Sequence, residues 1–200
     1  MKIYLLDINK DMVGAWHKYF KDIEDVKIVH DYFDNFMDNH LDIEAVVSPA
    51  NSFGLMDGGY DKAITNYFGE ELMKRVKLSI LLNWYGEQPV GTSITVPIFE
   101  RPFSTVLGRK IAVLIHTPTM RTPEQIIDPR IIYQCMRTTL IEAKRQEIES
   151  IVIPAFGGCT GGVPYDTIAK MMFLAYKQIN NRPEELNWGY ALHIAKELRK

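Results

Sequence analysis

Two segments of this chain follow one plan: an apolar run, a glycine-bearing turn and then a helical pattern. The first runs from Ile43 through Val46, Val47 and Ser48 to Pro49, Ala50 and Asn51, and reaches its helix across Gly58 and Gly59. The second runs from Ile151 to Pro154, then through Gly157, Gly158, Cys159, Thr160, Gly161 and Gly162 to a helix with Pro164 expected at its first position. Short apolar runs of this kind read as strands covered on both faces, as in a parallel sheet. Strands alternating with helices then predict an open α/β sheet with helices on both sides. Ligands of such sheets bind outside the carboxyl ends of the strands, where both glycine turns fall.

The rest of the chain fits that frame. Residues 2–6 start extended, and Met12, Val13, Trp16, Tyr19 and Phe20 fall at helical spacing within 10–21. Val26–Val29 is the next strand, and residues 32–40 form a short aromatic helical turn. Helical periodicity runs from Gly59 to about residue 69 and again over 70–84, closed by Gly86 and Pro89. Ser93–Ile98 and Lys110–His116 read as two strands separated by a turn containing Pro102 and Gly108. A proline-punctuated loop starts at His116, an amphipathic helix covers 130–147, and Pro183 separates the helix after Pro164 from a last one over 188–199. With 200 residues and neither repeats nor a linker, a single domain over 1–200 is expected.

Composition narrows the ligand. The formal charge is −2 and the basic residues are scattered, so a long nucleic acid is not the expected partner. The amino-terminal apolar run is broken by Asp7, against a signal peptide, and no apolar stretch is long enough to span a bilayer. Cys135 and Cys159 lie far apart without histidine at metal-ligand spacing, so neither a metal nor a disulfide framework is expected, and a reducing cytoplasm fits. No cofactor is implied.

Four glycines within residues 157–162 let the backbone approach a ligand and aim successive amides at it, and the following helix adds the positive end of its dipole. A diphosphate fits that description; a simple tight turn is the alternative. No lysine follows the glycines as a triphosphate-binding loop requires, and Cys159 stands where a dinucleotide fingerprint has its middle glycine. Cys159 reads as a small loop residue or a nucleophile activated by the helix end, with no base placed beside it. His116 reads as a structural histidine or a general base near a strand end. Trp84 and Tyr85 end a helix and read as core packing rather than stacking partners.

Ser48-Pro49-Ala50-Asn51 with Asp57-Gly58-Gly59-Tyr60-Asp61, taken with Pro154 to Pro164, resembles the macro domain family, which binds ADP-ribose. The family pattern is Asn-Ala-Ala-Asn, about six residues, Gly-Gly-Gly-Val-Asp, and later a glycine-rich loop between prolines. The ten-residue interval from Asn51 to Asp61 matches without gaps, and His116 to Pro123 is similar to a segment of a bacterial and phage-like branch. Ser48 and Pro49 replace an Asn and an Ala of the pattern, and Asp57 and Cys159 replace glycines. The likeness covers roughly residues 26–178 and implies a three-layer α/β/α fold with a mixed, mostly parallel sheet.

The resemblance also implies a site. Asn51 would hydrogen-bond a distal-ribose hydroxyl, and Gly157, Gly158, Cys159, Thr160, Gly161 and Gly162 would hold the diphosphate. Asp31 would accept from the adenine amino group, which an ionised carboxylate can do only as an acceptor, with Asp34 as the substitute. Ala50, Gly58, Gly59, Tyr60 and Thr119 would line the same cleft. Asp61, in the first helical turn, would orient or deprotonate a water attacking the anomeric carbon, making Asn51 and Asp61 the catalytic pair; the alternative is a carboxylate that only caps a helix end. The expected function is binding of ADP-ribose or a derivative with hydrolysis of an ADP-ribosyl linkage. A non-catalytic reader, a nucleotide-signal sponge, or a phosphatase using Asp57 or His116 are the alternatives.

Overall fold

The computed structural model describes residues 1–98 and 113–199; the turn expected around Pro102 and Gly108, and the start of the strand expected at Lys110, lie outside the described residues. In chain order the elements are β1 (Lys2–Asp7), α1 (Lys10–Phe20), β2 (Val26–His30), α2 (Phe33–Asn39), β3 (Ala45–Ser48), α3 (Gly59–Phe68), α4 (Glu70–Trp84), β4 (Ile94–Pro97), β5 (Val113–His116), α5 (Arg130–Arg145), β6 (Ser150–Ile153), α6 (Tyr165–Asn180) and α7 (Trp188–Glu197). The strands pair in the order β2-β1-β6-β3-β5-β4. Every pairing is parallel except that of β4 with β5, so the sheet is mixed and mostly parallel. Pro97 closes β4 at the sheet edge, where a missing backbone donor costs least.

Alternation along the strands divides the core into two layers. Ile3, Leu5, Ala45, Val47, Ile151 and Ile153 face one side, where Trp16 and Phe20 of α1, Met136 and Leu140 of α5 and Met172 of α6 cover them. Tyr4, Leu6, Val46, Leu114 and Val152 face the other, under Phe36 of α2, Ile64 of α3, and Val76 and Ile80 of α4. Helices therefore flank both faces, giving three α/β/α layers. Truncating a fully buried ring such as Trp16 or Phe36 would cost about 3–5 kcal/mol.

Three local features shape the junctions between these elements. Asn9 caps α1, accepting from the amides of Asp11 at 2.8 Å and Met12 at 3.2 Å, and so fixes the turn leaving β1. Gly69, with φ 91°, allows α4 to start directly after α3. Pro164 is the residue before α6 rather than its first helical residue, with an extended ψ of 136°. After α6 the chain forms α7, capped by the Asn187 side chain.

Because β1, β2, β3, β5 and β6 run parallel, Asp7, His30, Ser48, His116 and Ile153 all end on one edge of the sheet. Both glycine turns leave from that edge.

Candidate functional site

β6 lies between β1 and β3, so the loops after these three strands are neighbours. Past the end of β3 the chain continues alongside the chain leaving β5. The Thr117 amide donates to the Ser48 carbonyl at 2.9 Å, the Thr119 amide to Ala50 at 3.2 Å, and the Ser52 amide to Met120 at 3.1 Å. Asn51 forms an isolated parallel bridge with Met120 in this run. Thr119 is buried, and its hydroxyl donates to the Pro49 carbonyl at 3.1 Å. Ala50 and Thr119 are both buried and support the chain leaving β3 from behind, with Ala50 itself in the core.

The Asn51 side chain organises its own loop. Its Oδ1 accepts from the amides of Phe53 at 3.1 Å and Leu55 at 3.3 Å, and its Nδ2 donates to the Leu55 carbonyl at 2.9 Å. Two of the carboxamide's four hydrogen-bonding capacities go to those amides and one to that carbonyl, leaving one N–H for a ligand.

From that loop the chain crosses Gly58 and Gly59, whose φ of 52° turns it into α3, and places Asp61 in the first helical turn. There Asp61 Oδ1 accepts from the Ser48 hydroxyl at 2.6 Å. Asp61 keeps partial contact with solvent, and protein surrounds it elsewhere. Burial drives its carboxyl up to about 7, against the Ser48 hydrogen bond that favours the ionised form, while the nearby Asp57 charge adds to the rise. Asp57, Gly58 and Gly59 are exposed. Tyr60 turns inward and packs its ring edge-on against Phe33 at 5.3 Å.

The second glycine loop contains a single 3₁₀ turn over Cys159–Gly161. The Gly162 amide closes it by donating to Gly158 at 3.0 Å, and the Val163 amide donates to Gly157 at 3.2 Å. Among the described residues, the amides of Gly158, Cys159 and Thr160 have no backbone acceptor, leaving three successive donors near the start of α6. Two of the glycines have an internal reason as well. A Cβ on Gly157 would lie 2.8 Å from Ile126 Cδ1, and one on Gly161 would lie 2.9 Å from the same atom. Ile126 is thus the backing of this loop, and its amide donates to Gly161 at 2.9 Å. Cys159 is an exposed free thiol, and Cys135 is buried and pushed up by that burial.

At the ends of β1 and β2 is a cavity of about 530 Å³, lined by residues 8–11 and 30–32. Asp31 lies in its wall, accepting from the Tyr32 amide at 2.8 Å and from Asn35 Nδ2 at 2.6 Å. Tyr32 is 68% exposed beside it. Asp34 does not line this cavity. Asn9 ties the cavity to the glycine loop's helix by donating from Nδ2 to the Tyr165 hydroxyl at 3.0 Å.

His116 is fully buried rather than half-buried. Its Nδ1 sits 2.7 Å from Gln88 Oε1, an acceptor, so this nitrogen carries the hydrogen. Burial lowers the imidazole to about 3, which keeps it neutral and structural. Trp84 packs against the core, and Tyr85 is 96% exposed at the end of α4. Among the described residues there is no group of three or more histidine, cysteine or carboxylate side chains able to hold a metal, and no helix is long and apolar enough to cross a membrane.

The sequence reading brought out Asn51, Asp61, the glycine loop and Asp31 but missed four contributors. In the sequence Ser48 is only a departure from a motif, and Asn9, Gln88 and Ile126 carry no local signal. A hydroxyl at the last position of a strand that precedes a glycine-opened helix was the one cue available for Ser48.

Residues 47–172 match the family model for the Macro domain. An uncharacterised protein of Aquifex aeolicus is 28% identical over 132 residues, covering 66% of this chain and 72% of that protein. One from Aeropyrum pernix is 29% identical over 132 residues, spanning 66% of this chain but only 62% of its own length. The macrodomain of Oceanobacillus iheyensis solved with ADP superposes with a TM-score of 0.58 at 20% identity, over 78% of this chain and 83% of that one. A mutant of the same macrodomain solved with ADPR gives a TM-score of 0.58 at 20% identity, over 78% and 85%. At such identity the likeness is one of fold. The matched segment runs across more than half of the sequence and includes both the Asn51–Asp61 loop and the glycine loop, and on that match the chain belongs to the macro domain family.

Proposed function

We propose that this protein binds ADP-ribose, free or attached, and hydrolyses the linkage at C1″ of its distal ribose. The observation that carries the reading is Asp61, fixed by Ser48 at the end of β3 with a carboxyl near 7, on the same sheet edge as the open amides of the glycine loop. A general base works best with a pKa close to the working pH. The diphosphate would accept from the amides of Gly158, Cys159 and Thr160, where α6 adds its dipole. The remaining N–H of Asn51 would donate to a ribose hydroxyl oxygen. The free lone pairs of Asp31 would accept from the adenine amino group, with the base in the cavity beside Tyr32.

In the reaction Asp61 takes one proton from a water as its oxygen bonds to C1″. The bond from C1″ to the attached group breaks, and that group leaves with the electron pair and takes up, directly or through solvent, the proton that Asp61 gives back. The products are ADP-ribose and the free group. The ADP- and ADPR-bound forms of the Oceanobacillus macrodomain support a nucleotide diphosphate as the ligand type. A reducing cytoplasm is the proposed setting, supported by the unpaired Cys135 and Cys159.

A non-catalytic reader is the second reading, favoured by the use of most of the Asn51 carboxamide inside its own loop. A phosphatase relying on His116 lacks a usable base, since that imidazole is buried and neutral. The test is incubation with ADP-ribosyl esters, ADP-ribosylated nucleic-acid ends and modified protein, followed by chromatography of the products. Release of ADP-ribose, lost in Asp61→Asn with ADP-ribose binding retained, supports the hydrolase. Binding without turnover of any substrate leaves the reader, and release of inorganic phosphate defeats both.

A further inference from the structure

Tyr60 precedes Asp61 in α3, so the two side chains diverge by one helical step of about 100°. Asp61 faces Ser48, whereas Tyr60 turns inward against Phe33. Its hydroxyl is buried and has no hydrogen-bond partner among the described residues. Such a group costs stability unless something answers it, which makes it a place to look for function. Of the buried polar side-chain atoms in that condition, this one belongs to the residue adjoining the proposed base.

Two carboxyls act on the Tyr60 hydroxyl electrostatically, Asp61 from its own helix and Asp7 from the end of β1. Asp7 uses Oδ1 to accept from the Asn9 amide at 2.8 Å, and Asp61 uses Oδ1 for Ser48. Beyond these, the Ile8 amide also bears on the Asp7 carboxyl and the Asp61 amide on its own, and no further side-chain donor reaches either among the described residues. His30 is the titratable side chain that bears on Asp7, and Asp57 is the one that bears on Asp61. The end of β6 lies between β1 and β3, so Asp7 and the Ser48–Asp61 pair stand on either side of the strand end from which the glycine loop leaves.

Donor and acceptor counts decide what fits. The hydroxyl offers one hydrogen, and the carboxylates only accept. A ligand hydroxyl brings a single hydrogen and satisfies one carboxylate, whereas water brings two hydrogens and accepts the third bond. We infer that Asp7, Tyr60 and Asp61 together hold one water on the floor of the cleft, and that Tyr60 is through it a positioning residue for Asp61. The inference rests on the proposed hydrolase. Donation from Tyr60 into this water lets it donate more strongly to Asp61, aiming the carboxylate and favouring its ionised form. The burial that raises both Asp7 and Asp61 makes that support useful.

The test is Tyr60→Phe in the full chain, with three readouts. Carbon-13 NMR of the Asp61 carboxyl is expected to show its titration moving up by about one unit, and kcat near pH 6.5 to fall about tenfold with KM changed less than about twofold. A crystal structure of the unsubstituted protein is expected to show a water within hydrogen-bond distance of all three oxygens, lost in the variant. An unmoved Asp61 titration together with a raised melting temperature would overturn the inference, since the hydroxyl would then be only a packing defect. The NMR readout holds without turnover, so failure of the hydrolase reading is seen separately in the unsubstituted protein.

Discussion

Asp61→Asn should make the protein more stable at alkaline pH while removing its proposed base. The carboxyl rises from 3.8 in the open chain to about 7 in the fold, chiefly through burial. Between those values the folded chain keeps a proton that the unfolded chain has released. Stability of the unsubstituted protein therefore falls as pH rises from about 4 to 7, and is level above. A shift of about three units at about 1.4 kcal/mol each sets an upper limit of about 4 kcal/mol. Partial solvent contact at Asp61 brings the expectation to roughly 2–4 kcal/mol. Asparagine carries no charge, and its Oδ1 can still accept from the Ser48 hydroxyl 2.6 Å away in the present geometry. Urea unfolding at pH 8.5 should show the variant ahead by roughly that amount, with the gap closing to about zero at pH 4. A gain that is the same at both pH values, or a loss at pH 8.5, would refute the reasoning.

Three other substitutions test separate parts of the site. Ser48→Ala removes the hydrogen bond that holds Asp61 ionised, so the midpoint of the pH–rate profile should move about one unit further to the alkaline side. Gly157→Ala forces a side chain onto φ 74° with its Cβ 2.8 Å from Ile126, and should lower stability by about 1–3 kcal/mol in thermal unfolding. Tyr32→Ala should weaken ADP-ribose and AMP alike by about tenfold in a binding titration while leaving ribose 5-phosphate unaffected, as a lost stacking face would.

The parts of the fold legible in the sequence are those set by local pattern. Val46 and Val47 are apolar on both faces, and β3 is covered on both; Met12, Trp16 and Phe20 repeat at helical spacing, and α1 buries them. The Asn51–Asp61 interval was legible because a glycine turn of fixed length leads straight from strand end to helix start. What was not legible depends on pairings distant in sequence. Ser48 meets Asp61 only through the way α3 seats on the end of β3. The cavity beside Asp31 exists because β1 and β2 pair in parallel, setting Asp7 opposite His30 and bringing residues 8–11 against 30–32. Those residues lie before the segment that matches the family model, so the family pattern carries little information about them. His116 was ambiguous because burial and the partner Gln88, 28 residues earlier, leave no mark in its neighbourhood. The glycine pattern at 157 and 161 signals room for a ligand, and packing against Ile126 is a second reason for them that no local motif reveals.

Calorimetric titration with ADP-ribose, against GDP-ribose, asks most directly whether the glycine loop and Asp31 serve one nucleotide diphosphate. Binding of ADP-ribose with markedly weaker binding of GDP-ribose is the expected result, because a carboxylate accepts and cannot donate to a base that presents a carbonyl at that edge. Absence of ADP-ribose binding at millimolar concentration, with another nucleotide binding in its place, would contradict it.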